Sequence, residues 1–221
     1  MATVVAIEQD YDIVMQYCQE FRLAYVYTHW TLSGNPPWHT LVQCFNANAV
    51  PAVISGAIGP RKVRFITGSG HGSYDRFTGQ HGVTIWDVYS NQPRGMDHKL
   101  IHLLSCKAGR DLGLFFVQHA ADAFWGYTVD FKFFREANPP TPLSSDRYAK
   151  WFLGLDSVID VGILNGYSAS KFLKHMQAEF WRVYGLLIAR PDGAAMASTL
   201  LDNFVHLVSP GRIWGKPRAK I

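Results

Sequence analysis

Cysteine is scarce in this sequence of 221 residues, and the distribution of the cysteines excludes two common uses of the residue. The three cysteines are Cys18, Cys44 and Cys106, and no two of them have the close spacing of paired metal ligands. An odd number without such spacing indicates neither a disulfide framework nor a zinc site. We therefore expect no bound metal and a reduced, cytoplasmic setting, with Cys18 and Cys44 in the core.

Long apolar runs are also missing. No uninterrupted apolar stretch approaches the roughly 20 residues that a membrane-spanning helix needs. The first ten residues, MATVVAIEQD, have no basic segment before their short apolar run, unlike a secretory signal. We therefore expect no association with a membrane.

Charge of one sign is not concentrated enough to indicate a nucleic-acid partner. Lysine and arginine number 21 against 17 aspartates and glutamates, which leaves a net charge of +4. Part of this excess lies in the last ten residues and is typical of a solvated chain end. There is no internal repeat, and the 48% hydrophobic residues suffice for one core, so residues 1–221 are expected to form a single domain.

Two similar segments carry the most information. Residues 63–72 read VRFITGSGHG, and residues 100–109 read LIHLLSCKAG. Each pattern predicts a buried strand of a parallel sheet that delivers one reactive residue, His71 or Cys106, to the loop at its carboxyl end. Ligands bind at that edge of open α/β sheets, so we expect both side chains to share one crevice.

The remaining pattern alternates between helix-like and strand-like stretches. It predicts helices over 8–22, 38–47, 110–122, 168–188 and 194–208, and further strands over 24–28, 50–55, 83–86 and 123–128. Such alternation is typical of a central, mainly parallel sheet with helices on both faces.

The two loops have the composition of a thiol hydrolase. Cys106 stands between a predicted strand and a predicted helix, and the dipole of that helix is expected to favour the thiolate. His71 can protonate a leaving amine and later activate water. The small Gly72 lets the backbone approach a substrate, and the amides of Gly72 and Cys106 are the expected donors to the oxyanion.

These segments resemble the caspase-like cysteine peptidases, and within them most of all the bacterial CHAT and gingipain-like group. The resemblance is carried by residues 60–130. Gly70-His71-Gly72 comes first and Ser105 to Gly109 second, with His71 35 residues before Cys106, and Leu112-Gly113 and Phe124 to Tyr127 follow. The SCKAG sequence differs from the Gln-Ala-Cys-x-Gly of true caspases, so caspase-type aspartate specificity is not implied.

The resemblance implies a three-layer caspase-like sandwich and a cysteine endopeptidase that works through an acyl-enzyme, without a cofactor. It implies a protein or peptide substrate, and an activating or inhibitory protein partner. In this family a pocket residue sets substrate preference. Asp130, with Asp75 and Asp87 as alternatives, is the candidate that would select basic residues, whereas Arg64, Arg76 or Arg135 would be needed to select acidic ones.

Several alternatives stay open at the level of sequence. His81 also precedes a glycine and competes with His71, while His102 lies inside a predicted strand, where a core role is expected. The chain could instead be a caspase-like pseudoenzyme or interaction module whose thiol is never activated. A nucleotide-binding role for the glycine-rich loop 68–72 is weaker, because the loop lacks the Gly-x-Gly-x-x-Gly spacing.

Overall fold

The computed structural model describes residues 2–28, 39–60, 62–89, 95–208 and 214–220, with the side chains of 205–208 excepted. The strands are β1 Ala2–Glu8, β2 His39–Phe45, β3 Val63–Ser69, β4 Gly72–Ser73, β5 Arg76–Thr78, β6 Thr84–Asp87, β7 Leu100–Leu104, β8 Ala123–Gly126 and β9 Trp214–Gly215. The α-helices are α1 Ile13–Arg22, α2 Pro51–Ile58, α3 Asp111–Gln118, α4 Lys150–Leu164, α5 Ala169–Ile188 and α6 Ala194–Val208. A π-helical segment, Leu23–Tyr27, continues α1.

Six strands form the central sheet in the order β2-β1-β3-β7-β8-β9. The first five run parallel, and β9 pairs antiparallel with β8 at one edge. The strands β4, β5 and β6 form a separate antiparallel sheet directly after β3. Parallel strands end at the same edge, so the loops after β1, β3, β7 and β8 lie side by side.

Helices cover both faces of the central sheet, and each face has its own apolar core. On one face α1, α4, α5 and α6 pack against the strands, with Phe65 and Trp125 among the buried sheet residues. On the other face α2 and α3 cover Ile66 and Phe124. The two-sided burial explains the continuous apolar runs of β3 and β7. The predicted three-layer α/β sandwich with a mainly parallel sheet is confirmed.

Most of the elements around the two diagnostic segments are where the sequence predicts them. The strands predicted near 63–67, 83–86, 100–104 and 123–128 are β3, β6, β7 and β8. The helices predicted over 168–188 and 194–208 are α5 and α6, and the Ser168 hydroxyl caps α5 by accepting the Lys171 amide at 3.4 Å. The helices predicted over 8–22 and 110–122 are shorter, and begin at Ile13 and Asp111.

Three local predictions are wrong, and several elements are not predicted. The segment 39–45 is a strand rather than a helix, with position 38 outside the described residues, and 24–27 is π-helix rather than strand. Segment 50–55 belongs to helix α2, where Pro51 occupies the first turn that tolerates its missing N–H. No prediction covers β1, α4 or the short strands β4, β5 and β9. Short apolar runs fit a buried strand and a buried helix equally well, which accounts for these errors.

The cysteines are free in this structure, and Cys18 and Cys44 are buried in the core as predicted. Across the described residues, no helix combines the length and the apolar character needed to cross a membrane.

Candidate active site

His71 and Cys106 follow two neighbouring strands at the same edge of the sheet. The last residues of β3 and β7, Ser69 and Leu104, are partners in the parallel ladder. The Gly70 amide extends that pairing by donating to the Leu104 carbonyl at 3.1 Å. Each reactive residue stands two positions beyond this pair of partners, so the sheet brings His71 and Cys106 into adjacent loops, as predicted.

The imidazole of His71 is bound to a carboxylate that the local sequence pattern does not indicate. Its Nε2 lies 2.6 Å from Oδ2 of Asp12. Asp12 is the N-cap of α1, and its Oδ1 accepts the Met15 amide at 2.9 Å. Partial burial works to raise the pKa of Asp12, but the hydrogen bonds from His71 and the Met15 amide hold it below its usual value. Asp12 therefore stays ionised at neutral pH and orients the imidazole.

The loop that carries Asp12 is tied to the hairpin that carries His71. Gln80 donates through Nε2 to Oδ1 of Asp10 at 2.9 Å, and its Oε1 accepts the Asp10 amide at 3.3 Å. The Gln9 side chain donates to a β3 carbonyl at 3.2 Å and also to a β5 carbonyl. These contacts hold the two loops in one arrangement and so fix the distance between the carboxylate and the imidazole.

The alternative histidine, His81, lies beside the same tyrosine as His71. The ring of Tyr11 has its centroid 5.7 Å from the ring of His71 and 5.7 Å from the ring of His81. Among the described contacts, His71 has Asp12 as an acidic partner, and no acidic partner of His81 is found. The geometry therefore favours His71 over His81 as the proton-transferring histidine.

The half-buried Cys106 thiol is protonated at neutral pH. Burial raises its pKa and outweighs the main-chain hydrogen bond from Phe131 and the charge of Lys107, which favour the thiolate; Asp130 acts in the same direction as burial. The predicted thiolate stabilisation by a helix dipole is not found, because α3 begins only at Asp111 and the field of a helix terminus fades within about one turn.

The turn after Cys106 is fixed tightly against the segment that follows β8. The Lys107 amide donates to the Val129 carbonyl at 2.9 Å, and the Gly109 amide donates to the Tyr127 carbonyl at 2.8 Å. A Cβ at Gly109 would lie 2.5 Å from the carbonyl oxygen of Gly126, so only glycine fits there. The nucleophile loop is therefore positioned by backbone contacts on both sides of the cysteine.

The Gly72 amide, one of the two predicted donors to an oxyanion, belongs to a hairpin that contacts the Cys106 loop. The Thr78 amide donates to the His71 carbonyl at 2.9 Å, while the next pair in the hairpin is Gly72 with Phe77. Antiparallel pairs alternate between hydrogen-bonded and non-bonded, so the Gly72 amide points away from β5. A Cβ at Gly72 would lie 3.1 Å from the Cys106 carbonyl oxygen and would collide with the Ser105 hydroxyl. The Gly72 backbone therefore rests directly on the Cys106 loop.

The carboxylates predicted to select basic substrates are already engaged. Asp130 lies close to Cys106, but its Oδ2 is 2.8 Å from Nζ of Lys107. Asp75 accepts the Ser73 hydroxyl at 2.5 Å, and Asp87 accepts the Tyr89 amide at 2.8 Å. Of the arginines considered for acidic substrates, Arg64 faces Asp122 at 3.7 Å and Arg76 faces Asp75 at 3.4 Å.

A fully buried ionic network lies under the site and includes His102, as its predicted core role requires. Its Nδ1 is 3.1 Å from Asp160 and its Nε2 is 3.2 Å from Asp156. The Arg22 guanidinium binds Asp160 at 2.8 Å and Glu8 at 2.6 Å. Burial disfavours the imidazolium, but the two carboxylates outweigh it and raise the pKa of His102 to about 9.

Within the described residues, His102, Asp156 and Asp160 are the one group spaced closely enough to hold a metal ion. The positive charge that these carboxylates need is already supplied by Arg22 and by the His102 imidazolium. The arrangement fits a charge-balanced core better than a metal centre.

The sequence matches no family model and no curated protein sequence. Among solved structures, the chain is similar to one described as the complex of the RgpB pro- and mature domains from Porphyromonas gingivalis, with a TM-score of 0.55 and 10% sequence identity. The similarity covers 99% of this chain and 48% of the length of that chain. At this identity the likeness shows the fold alone, and that fold agrees with the caspase-like architecture.

Proposed function

We propose that this chain is a cysteine endopeptidase with Cys106 as nucleophile and His71 as general acid and base, related to the gingipain-like and CHAT group of caspase-like peptidases. The observation that carries the proposal is the 2.6 Å contact of His71 with Asp12 at the same sheet edge as Cys106. A carboxylate, an imidazole and a thiol in that order are the parts of an activated nucleophile.

The protonated thiol decides how the first step begins. Because the Cys106 proton is bound at rest, His71 accepts it as the sulfur attacks the scissile carbonyl. The imidazolium then gives that proton to the leaving amine as the C–N bond breaks, and an acyl-enzyme remains. His71 next takes a proton from water as the water oxygen attacks the thioester. The C–S bond breaks, the peptide acid is released, and His71 returns the proton to the Cys106 sulfur.

The backbone supplies the charge stabilisation that this chemistry needs. We expect the amides of Gly72 and Cys106, whose loops are in contact, to stabilise the negative charge that develops on the carbonyl oxygen. Asp12 keeps Nε2 of His71 occupied, which leaves Nδ1 to exchange protons with the thiol and the leaving group. No step requires a cofactor.

An endopeptidase acts on a protein or peptide substrate, and we propose that a protein partner regulates this one. The RgpB structure contains a pro-domain together with the mature domain of that protein. The free cysteines of this chain suit the reducing, cytoplasmic compartment expected from the sequence.

One observation favours a second candidate function, a caspase-like interaction module without peptidase activity. Burial raises the pKa of Cys106, so this thiol is less reactive at rest than an exposed cysteine. In that case the edge of the sheet would bind a protein segment without cleaving it.

Cleavage of unfolded casein and of a mixed peptide library, analysed by mass spectrometry, tests the peptidase. We expect Cys106→Ala to abolish cleavage and His71→Ala to reduce it at least about 100-fold. The matched controls Cys44→Ala and His175→Ala change a core cysteine and an exposed histidine outside the site, and should retain activity. Cleavage that survives Cys106→Ala, or no cleavage by the folded wild type at any pH from 5 to 9, would favour the interaction module.

A further inference from the structure

A cavity of about 250 Å³ opens between the start of α1 and the segment after β8. Ile13 and Val14 of α1 form one side, and Phe131 and Phe133 form the other. Lys132 and Arg135 contribute the charged groups of the lining. The cavity is therefore an apolar cleft whose charges are both positive.

The cavity borders both parts of the candidate active site. Phe131, which lines it, also makes the main-chain hydrogen bond to the Cys106 sulfur. On the other side, Ile13 directly follows Asp12, the carboxylate that holds His71. When a substrate carbonyl lies at the Cys106 sulfur, a side chain of the same or a neighbouring residue can enter this cleft.

The two cations have no acidic partner in the described part of the chain. Neither Lys132 nor Arg135 makes a salt bridge there, whereas Arg64, Arg76 and Arg147 all do. Asp130, the residue predicted to select basic substrates, is outside the lining and is neutralised by Lys107. The side chains of Lys132 and Arg135 are exposed, so the positive potential that they give the cleft is open to screening by solvent and salt.

The backbone that carries the cations is held in place by buried polar groups. The buried Asn203 accepts the Lys132 amide at 3.1 Å and donates to the Lys132 carbonyl at 2.5 Å. The amide of Glu136, next to Arg135, donates to Asp146 at 2.9 Å. The cleft is therefore a preformed site with two charges on a fixed segment.

We infer that this cleft is a substrate subsite that takes an acidic side chain, aspartate or glutamate, at the residue whose carbonyl Cys106 attacks. The inference rests on the proposed peptidase function for its link to cleavage. It differs from the expectation attached to Asp130, which would select lysine or arginine.

Four peptide acyloxymethyl ketones that share one sequence and end in Asp, Glu, Leu or Lys test the subsite through covalent labelling of Cys106. Mass spectrometry gives the rate for each probe and the site of labelling. We expect the two acidic probes to react at least about 10-fold faster than the Leu and Lys probes at low salt. The advantage should shrink as ionic strength rises, because the recognition is electrostatic. Faster reaction of the Lys probe would overturn the inference in favour of Asp130, and equal rates for all four would overturn it outright.

Charge reversal in the cleft is the matched comparison. Lys132→Glu with Arg135→Glu should remove the advantage of the acidic probes and favour the Lys probe. The control pair, Lys174→Glu with Arg218→Glu, makes the same change in net charge at exposed positions outside the cleft, and should leave the order of rates unchanged.

Binding without chemistry separates this inference from the proposed function. For the Cys106→Ala variant, calorimetry compares the affinity for peptides that end in Asp or in Lys. If no probe labels the wild type but Asp peptides bind Cys106→Ala at least about 10-fold more tightly, the acidic subsite stands and the peptidase proposal falls. If Cys106 is labelled and neither rate nor affinity favours the acid, the peptidase stands and the acidic subsite is wrong.

Discussion

The His71 imidazole and the Asp12 carboxylate, 59 residues apart in the chain, lie 2.6 Å from each other. Asp12 reaches this position because it caps α1, and His71 because it follows β3, the strand next to β1. The reciprocal hydrogen bonds of Gln80 with Asp10 tie the two loops together. The contact is therefore a product of the sheet order rather than of local sequence.

Replacing Asp12 separates its charge from its role as a helix cap. Asp12→Asn keeps a good N-cap but removes the negative charge that orients and stabilises the His71 imidazolium. We expect kcat to fall by about 10²–10⁴-fold, with little change in melting temperature. Peptide cleavage and thermal unfolding measure the two effects. Asp12→Ala should lose a further ~1 kcal/mol of stability with the cap, and full activity of Asp12→Asn would contradict the proposed role.

Alkylation of Cys106 should accelerate as pH rises. Burial raises the thiol pKa above its ordinary value of 9.0, so the thiolate fraction at pH 7 is below about 1% and grows with each unit of pH. Iodoacetamide labelling followed by mass spectrometry from pH 6 to 10 measures this profile. The buried Cys18 and the fully buried Cys44 should label more slowly than Cys106. A labelling rate already at its plateau below pH 7 would mean a preformed thiolate instead.

Two glycine substitutions should have opposite effects on stability. A Cβ at Gly109 would lie 2.5 Å from the Gly126 carbonyl oxygen, so Gly109→Ala must push the nucleophile turn away from β8. We expect a loss of about 1–3 kcal/mol in the free energy of unfolding, together with a loss of activity. Gly185→Ala, near the C-terminal end of α5 with open space around the added methyl, should instead gain about 0.5–1 kcal/mol. Urea unfolding of both variants measures the two changes in the free energy of unfolding. An unchanged stability of Gly109→Ala would contradict the close packing at this turn.

The buried His102 should make stability depend on pH. Its folded pKa is raised from 6.5 to about 9, so its contribution is complete below about pH 6.5 and is lost as pH rises through 9. The free energy of unfolding of His102→Gln should therefore fall furthest below that of wild type at pH 6. This difference in the free energy of unfolding between wild type and variant, the stability gap, should narrow by up to about 3 kcal/mol by pH 10.

Chemical unfolding at both pH values measures the gap, with the exposed His175→Gln as the control. A gap for His102→Gln that is the same at pH 6 and pH 10 would show that the imidazole is neutral in the core.

The architecture was predictable because its signals are repeated along the chain. Strand-like and helix-like stretches alternate from β3 to α6, and each buried strand reads as a continuous apolar run, so the layered parallel sheet follows from pattern alone. The errors lie where a short apolar run fits two structures. The segments that became β2 and α2 were assigned to the wrong state because tertiary burial, rather than local preference, decides such runs.

The candidate site was predictable in part. His71 and Cys106 stand out because each follows an apolar strand and is bordered by glycine or other small residues. Asp12 stands before an amphipathic helix, which marks it as a helix cap, but nothing in the local pattern pairs it with a histidine far along the chain. A systematic search for acidic residues at the carboxyl ends of predicted strands would have found it only if β1 had been predicted.

The amino-acid sequence by itself determined the layered α/β fold and the two loops that carry a histidine and a cysteine, because periodicity and small residues near a strand end are local properties. The tertiary structure alone decided that Asp12 binds His71, that burial keeps Cys106 protonated, and that Lys132 and Arg135 line the cleft beside it. Each of these properties depends on the distances between residues far apart in the chain and on how far those residues are desolvated. Only the folded arrangement of β1, β3, β7 and β8 sets these distances and this burial.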